Sequence, residues 1–355
     1  MTRRRVLIGC IAASLAIVVT ALPTGQLRHL AMPIVHDPST HPSMRCMTID
    51  EDETRATERT RVPGRVSAIL PRADGTLFIG TFDSGLYRFD PNRDRAPAEV
   101  GALSGRERFV DALVEHDGRI VVATHRGAVV LSPGGARLGV LAAGEAISSL
   151  VVAGDELLLG TAHGLWRARD DAALGERSPE GETLRITALT ATRGRVWIGT
   201  PEGVYAIATP ATAQVAYWHP LVFGSPGASS NVVTALAPLA DGVLAGTDDG
   251  GTVFVDDASV DARPFADRRA NDINPGALLR AGDDVFVGTE GAGLIAVAGS
   301  HARRIGNSSG GRISAVALGA ELWFGSEEGA IYSLAVPLPL TSAPARAPSS
   351  SPARG

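Results

Sequence analysis

The sequence contains no lysine: its 33 basic residues are all arginine, and 38 acidic residues give a formal net charge of −5. This balance offers no electrostatic basis for binding nucleic acid or an anionic membrane surface. Cysteine is nearly absent too, with two residues in a chain of 355. Two cysteines are too few for a disulfide scaffold, an iron–sulfur cluster or a cysteine zinc finger.

Local catalytic and cofactor motifs are missing as well. The sequence has no phosphate-binding loop, no GxSxG elbow, no haem-attachment cysteine pair and no HExxH motif. We therefore expect no cofactor and no bound metal. An enzyme stays open as an alternative, because a site assembled from single residues on separate loops leaves no local motif. Apolar residues make up 45% of the chain, which is enough for a sizeable core.

One long apolar run stands near the N-terminus, at residues 6–22, directly after three arginines at residues 3–5. A short basic segment before an apolar run is typical of an export signal. As a helix the run would span roughly 25 Å, slightly short of a bilayer core. We predict that residues 1–22 are a signal peptide or an anchor. Residues 7–10, which end in Cys10, also resemble a lipobox, and the arginines resemble a twin-arginine signal. The prediction is an exported protein, periplasmic or secreted, with membrane contact only through an N-terminal anchor.

Two further stretches have little to bury. Residues 23–56 are predicted as a largely irregular linker, in which His36, His41 and Cys46 are spaced too loosely for a metal cluster. Cys46 is expected to be an unpaired thiol or the site of an intermolecular disulfide. Residues 337–355 hold five prolines and four serines and are predicted as a disordered tail.

The dominant pattern is a phrase that occurs seven times: LFIGT, IVVAT, LLLGT, VWIGT, VLAGT, VFVGT and LWFGS. The copies follow one another at intervals of 37–47 residues. Each copy ends in a small residue and a hydroxyl residue. These pairs are Gly80-Thr81, Ala123-Thr124, Gly160-Thr161, Gly199-Thr200, Gly246-Thr247, Gly288-Thr289 and Gly325-Ser326.

Each phrase has a recurring context. A β-rich run and a tight turn precede it, and a glycine turn, a second apolar run and a variable stretch follow it. A four-stranded antiparallel unit of about 40 residues, buried on both faces, is typical of a propeller blade. The sequence therefore predicts an all-β fold, a seven-bladed β-propeller over residues 57–336, with Phe78, Trp197, Phe286 and Trp323 buried between blades.

The last unit lacks a fourth strand of its own, because Pro337 and Pro339 follow its third run. Residues 57–62 are similar to the end of the sixth unit at residues 301–305. We predict that residues 57–62 supply the outer strand of the seventh blade and close the ring. An open propeller would leave two sheet edges exposed.

Residues 66–90, 186–208 and 313–335 resemble the two-component-regulator propeller repeat. The resemblance extends over roughly residues 60–336. It implies a propeller of the kind found in exported sensors of hybrid histidine kinases, here without a kinase portion.

Propellers commonly bind ligands on the loops of one face. We expect that face to carry the loops after the seven hydroxyl residues, where polar side chains form an acidic rim that could receive a cationic ligand, a basic protein patch or a metal. Ordinary turn chemistry is the alternative explanation for these residues. The candidate ligand-binding residues are Asp83, His125, Arg126, His163, Glu202, Asp248, Asp249, Glu290, Glu327 and Glu328.

The predicted function is an exported, non-enzymatic propeller that binds a ligand or a protein, as a sensor-like module or a scaffold. Its partner is expected to be an envelope or secreted protein or a small ligand, and the chain itself a monomer. The alternative is an exported propeller hydrolase or lyase that uses His125 or His163. Convergence of a histidine with two or more carboxylates at one point would favour the enzyme.

Overall fold

The computed structural model describes residues 46–169, 172–175, 184–208, 215–220, 231–240, 242–256, 260–306 and 311–335. The predicted signal or anchor and the predicted tail lie outside these residues. Within the described part of the chain, no helix is long and apolar enough to cross a membrane.

Two strands precede the first repeat: β1 (Ile49–Arg55) and β2 (Thr57–Arg61). The repeats then supply the blades in chain order. Blade 1 is β3 (Val66–Pro71), β4 (Leu77–Thr81), β5 (Gly85–Phe89) and β6 (Ala98–Glu99). Blade 2 is β7 (Val110–His116), β8 (Arg119–Thr124), β9 (Gly127–Leu131) and β10 (Arg137–Leu141). Blade 3 is β11 (Ile147–Ala153), β12 (Glu156–Thr161), β13 (Gly164–Arg167) and β14 (Ala172–Gly175).

The remaining blades repeat this order. Blade 4 is β15 (Ala188–Thr192), β16 (Arg195–Thr200), β17 (Gly203–Ala208) and β18 (Val215–Pro220). Blade 5 is β19 (Val233–Pro238), β20 (Val243–Thr247), β21 (Thr252–Val255) and β22 (Val260–Arg263). Blade 6 is β23 (Ile273–Ala281), β24 (Asp284–Thr289), β25 (Leu294–Ala298) and β26 (His301–Gly306). Blade 7 is β27 (Ile313–Leu318), β28 (Leu322–Ser326) and β29 (Ala330–Leu334).

The first strands of successive blades contact one another around a closed ring, in which β27 also contacts β3. Each blade is an antiparallel sheet in which consecutive strands pair. The seven-bladed propeller predicted from the repeats is therefore confirmed. Its four predicted aromatic residues are buried, with exposed fractions of 1% for Phe78, 2% for Trp197, 1% for Phe286 and 5% for Trp323.

The ring is closed as predicted, by the N-terminal strand β2. It pairs antiparallel with β29, so that Glu58 lies opposite Tyr332 and Arg61 lies opposite Ala330. The backbone N–H of Val62 donates to the carbonyl of Gly329 at 2.9 Å. The Arg59 side chain donates to the Ser333 hydroxyl at 2.8 Å. Blade 7 thus obtains its fourth strand from the other end of the described chain.

One feature departs from the sequence prediction. Residues 23–56 were expected to be a largely irregular linker, and residues 23–45 lie outside the described residues. At the end of this segment, β1 adds a fifth strand, in parallel, to the outer edge of blade 6. The open backbone edge of β26 accepts this strand. The Glu51 side chain of β1 is held there by charge, since Arg304 donates to it at 2.6 Å.

Contacts between blades depend on the small residue of each phrase. In six of the seven phrases it is glycine. A methyl group added there would lie within 2.6 Å of an atom of a β-branched residue in the next blade. We call these β-branched residues the seam residues. The six glycines with their seam residues are Gly80 and Val110, Gly160 and Ile186, Gly199 and Val233, Gly246 and Ile273, Gly288 and Ile313, and Gly325 and Val66.

The second blade differs, because Ala123 occupies the position of the glycine. Its seam residue in blade 3 is Ile147, and both side chains are fully buried. This interface therefore accommodates a methyl group that the glycine interfaces exclude.

Replacing Gly325 by alanine tests the close contact at the point of ring closure. Its new methyl group would overlap Val66, so we expect a loss of about 1–3 kcal/mol in the free energy of unfolding, the range for overpacking. Gly139→Ala is the matched control, because nothing lies within 4 Å of the added methyl group there. Denaturant unfolding of the two variants measures the difference, and equal stability would refute the close-packing account.

Truncation from the N-terminus tests ring closure. A chain that begins at Cys46 retains both preceding strands, one that begins at Ala56 lacks β1, and one that begins at Val62 lacks β2 as well. We expect the removal of β2 to lower the free energy of unfolding by several kcal/mol, because blade 7 loses the pairing and the cover of its fourth strand. Removal of β1 alone should cost less, since blade 6 keeps four strands. Thermal unfolding of the three chains measures both losses. A larger loss on removal of β1 than on removal of β2 would contradict this assignment.

Candidate functional site

The hydroxyl residue of each phrase fixes the loop that follows it. Thr81 donates to the carbonyl of Gly85 at 2.8 Å and accepts from the backbone N–H of Ser84. The corresponding threonines of blades 2 to 6 donate to the glycine turn in the same way. These loops lie on one face of the ring, and so do the starts of the first strands. We call the centre of this face the channel mouth.

All ten residues predicted from sequence lie on these loops, but their environments differ. His125, Glu290 and Glu327 are half-buried. The other residues are exposed to solvent: Asp83, Arg126, His163, Glu202, Asp248, Asp249 and Glu328. Each of the three half-buried residues makes a charged contact with a residue in a first strand or directly before one.

A chain of ion pairs crosses three blades at the mouth. Arg312, directly before β27, reaches Glu290 of blade 6 at 3.4 Å and Glu327 of blade 7 at 3.2 Å. Arg65, directly before β3, reaches the other oxygen of Glu327 at 3.1 Å. Because Glu327 holds both arginines, it connects the last blade to the first.

A crowded group of carboxylates lies beside this chain, in blades 5 and 6. Burial raises the pKa of Asp272 to about 6, and the negative charges of Asp248, Glu290 and Asp249 add to the shift. The pKa of Glu290 is also raised, first by burial and then by Glu327. Arg312 opposes both shifts. This side of the mouth therefore carries more negative charge than its two arginines neutralise.

The adjoining side of the mouth, in blades 1 and 2, is aromatic. Phe109 stacks on the imidazole of His125 with ring centroids 5.0 Å apart, and Phe82 meets both rings edge-on at 5.9 Å. The Arg65 guanidinium lies 4.2 Å above the centre of the Phe82 ring. Arg65 therefore joins the ion-pair chain to the aromatic cluster.

Two histidines each contact one carboxylate. His125 Nε2 lies 3.1 Å from Asp111 Oδ2. Burial raises the pKa of Asp111 to about 7, while burial, with Arg106 nearby, lowers the pKa of His125. His163 Nδ1 lies 2.8 Å from Glu145 Oε2, but this histidine is largely exposed to solvent.

The described residues contain no group of three or more His, Cys, Asp or Glu side chains that could hold a metal ion. Neither histidine meets two carboxylates at one point, which is the geometry that would have favoured an enzyme. Cys46 is exposed as a free thiol. His36 and His41 lie outside the described residues.

Six residues that build the mouth were missed by the sequence reasoning. They lie in the first strands, directly before them, or beside the chosen loop residues. A signal was available, because aligning the repeats on their seam residues places a charged or aromatic residue next to several of them. The residues are Arg65, Phe82, Phe109, Asp111, Asp272 and Arg312.

No family model matches the sequence, and no curated protein matches it. Solved structures do match its fold. One is the extracellular domain of the putative hybrid two component system BT4673 from B. thetaiotaomicron, with 17% identity and a TM-score of 0.63 over 79% of this chain and 39% of that one. Another is the extracellular domain of BT3049 from the same organism, with 14% identity and a TM-score of 0.60 over 79% of this chain and 42% of that one.

A third match is virginiamycin B lyase from Staphylococcus aureus, with 12% identity and a TM-score of 0.63 over 80% of this chain and 99% of that one. This chain spans about two fifths of the length of the two extracellular domains. At these identities the likeness shows the fold alone. The likeness confirms, for the fold, the resemblance to sensor propellers that the sequence repeats indicated.

Asp272→Asn tests the crowding of carboxylates. A raised pKa means that the folded chain holds the proton more tightly than the unfolded chain, so stability falls as pH rises from about 4 to about 6. The asparagine variant should avoid this loss and be more stable at pH 7, by no more than about 1 kcal/mol because solvent screens the site. The advantage should vanish near pH 4. The control is Asp283→Asn, in the exposed turn between β23 and β24 on the face opposite the channel mouth. Thermal melts across this pH range compare the two variants with the wild type.

Proposed function

We propose that this chain is an exported, non-enzymatic, sensor-like propeller that binds its ligand or protein partner at the channel mouth. The observation that carries the proposal is the polarity of the mouth. Carboxylates of blades 5 to 7 lie next to an aromatic cluster of blades 1 and 2, and Arg65 contacts both Glu327 and Phe82. The sensor domains among the matching structures support the class of function, and the basic and apolar N-terminus supports export.

The chemistry of the mouth favours a partner with a cationic group beside an aromatic or apolar one. The negative charges around Asp272 attract a cation, because each neighbouring carboxylate disfavours the ionised form of the next. The half-buried rings of Phe82 and Phe109 offer flat apolar surface. A basic segment of an envelope or secreted protein, or a small aromatic amine, has both features.

Binding of peptides graded in net charge, each with and without an aromatic residue, tests this proposal on the full chain. We expect cationic aromatic peptides to bind best, and added salt to weaken them. The double variant Glu290→Gln, Glu327→Gln should weaken binding about tenfold, equivalent to about 1.4 kcal/mol. Biolayer interferometry measures these affinities.

The control for this experiment is Asp283→Asn, which removes a carboxylate from the opposite face. It should leave peptide binding unchanged. Binding that does not depend on peptide charge, or that both variants weaken equally, would contradict a site at the mouth.

A second candidate function rests on the contact between Asp111 and His125. A carboxyl group that orients a half-buried imidazole is an arrangement used in general acid–base catalysis. It favours the hydrolase or lyase alternative. Turnover of ester, lactone or glycoside substrates that is lost in His125→Gln would support this candidate over the binding protein.

A further inference from the structure

A ring of side-chain hydrogen bonds joins the blades near the channel mouth. The donor is the residue directly after each seam residue, which we call the latch position. Ser148, Thr187, Asn274 and Ser314 donate to the carbonyl of the seam residue in the next blade at 2.5–2.8 Å. Ser67 makes the same bond to the carbonyl of Val110. Five of the seven interfaces between blades therefore carry this bond.

The register of the strands explains why a side chain is free to reach the next blade. In blade 1 the ladder passes from Val66 to Ala68 with an irregularity between them, so that the latch residue has no partner opposite it. Blade 2 shows the same irregularity between Val110 and Ala112. A residue left out of the ladder can turn its side chain away from its own sheet.

Two blades depart from the pattern. In blade 5, Thr234 donates to the carbonyl of Gly246 in its own blade. In blade 2 the latch position holds Asp111. The equivalent acceptor for Asp111 is the carbonyl of Ile147. An ionised carboxylate has no proton to donate, whereas a hydroxyl, an amide or a protonated carboxyl has one.

The same interface is exceptional in a second, independent way. Ile147 is the seam residue that packs on Ala123, where the other phrases have glycine. Both the packing and the hydrogen bond of the other blades are thus altered at the interface between blades 2 and 3. This interface borders the aromatic side of the mouth through His125.

We propose that Asp111 is a proton-dependent latch between blades 2 and 3. In the protonated carboxyl group, the O–H donates to the Ile147 carbonyl while the other oxygen accepts from His125 Nε2–H. Loss of the proton to solvent removes the donor. The carboxylate oxygen of Asp111 and the carbonyl oxygen of Ile147, which can only accept hydrogen bonds, then lie against each other. The interface beside the channel mouth is then weakened.

The surroundings of Asp111 allow this change near neutral pH. Burial raises its pKa to about 7, and the positive charge of Arg65 is the opposing influence. His125 contacts it from the loop after β8, and Arg106 acts on that histidine from the turn before β7. The neighbouring first strands β3 and β11 contain no titratable side chain.

The sign of the effect on stability follows from these values. The carboxyl group of Asp111 is more acidic in the unfolded chain than in the folded one. The folded state therefore loses stability as pH rises from about 4 to about 7, and the loss is complete above that range. An asparagine at this position would keep its donor at every pH, as Asn274 does in blade 6.

The experiment compares the melting temperatures of the wild-type chain and Asp111→Asn between pH 4 and pH 9. The two should melt together near pH 4, and the variant should exceed the wild type by on the order of 5 °C above pH 8. Asp111→Ser, which places the residue of blades 1, 3 and 7 at this position, should show the same trend. A difference that is the same at pH 5 and pH 8, or a wild type that is more stable at pH 8, would overturn the proposal.

Two further variants separate the latch from its neighbours. His125→Gln should retain the pH-dependent difference between Asp and Asn at position 111, and its disappearance would assign the effect to the histidine instead. Asn274→Asp should transfer the device to the interface between blades 6 and 7 and make that variant less stable as pH rises. Destabilisation of Asn274→Asp by an equal amount at every pH would also count against the latch.

Discussion

The structure depends on one close contact repeated around the ring, the packing of a β-branched side chain of one blade against a glycine of the blade before it. Because a methyl group does not fit at any of the six glycines, the spacing at those interfaces is set by backbone and not by adaptable side chains. The contact between Gly325 and Val66 brings the last phrase of the chain against the first blade. Closure by β2 is possible only because that contact positions blades 7 and 1 side by side.

This packing also decides where the chemistry can lie. The second strands are buried along nearly their whole length, so the charged groups of the mouth lie on the loops and at the starts of the first strands. The threonines that tie down the loops make these positions rigid. The result is a mouth with a carboxylate side, an aromatic side and Arg65 in contact with both.

The fold could be predicted from sequence because each blade corresponds to one local sequence repeat. Each phrase specifies a buried strand, its turns recur, and the similarity of residues 57–62 to the end of the sixth unit predicted the closing strand. The fifth strand of blade 6 could not be predicted in this way. Its acidic residues lack the alternation of a buried strand, and it forms because β26 offers an open edge and Arg304 a charge.

The candidate site was predicted only in part, for a related reason. Residues on the loops could be chosen because they follow a recognisable phrase. Asp111 and Asp272 belong to the site through the curvature of the ring, which brings the first strands of different blades together. Aligned repeats mark the positions next to the seam residues, but no local pattern says which of those residues meet. The contact of His125 with Asp111 lies within one blade, between the loop after β8 and the start of the neighbouring strand β7.

Ring closure by β2 has a consequence for how the chain folds. Arg59 and its partner Ser333 are separated by 274 residues, so β2, near the start of the described chain, can pair only after β29 has been synthesised. Closing so long a loop is slow, and blade 7 exposes an unpaired edge until it happens. The two arginines and the glutamate of β2 make the unpaired strand polar, which suits it to exposure before it pairs.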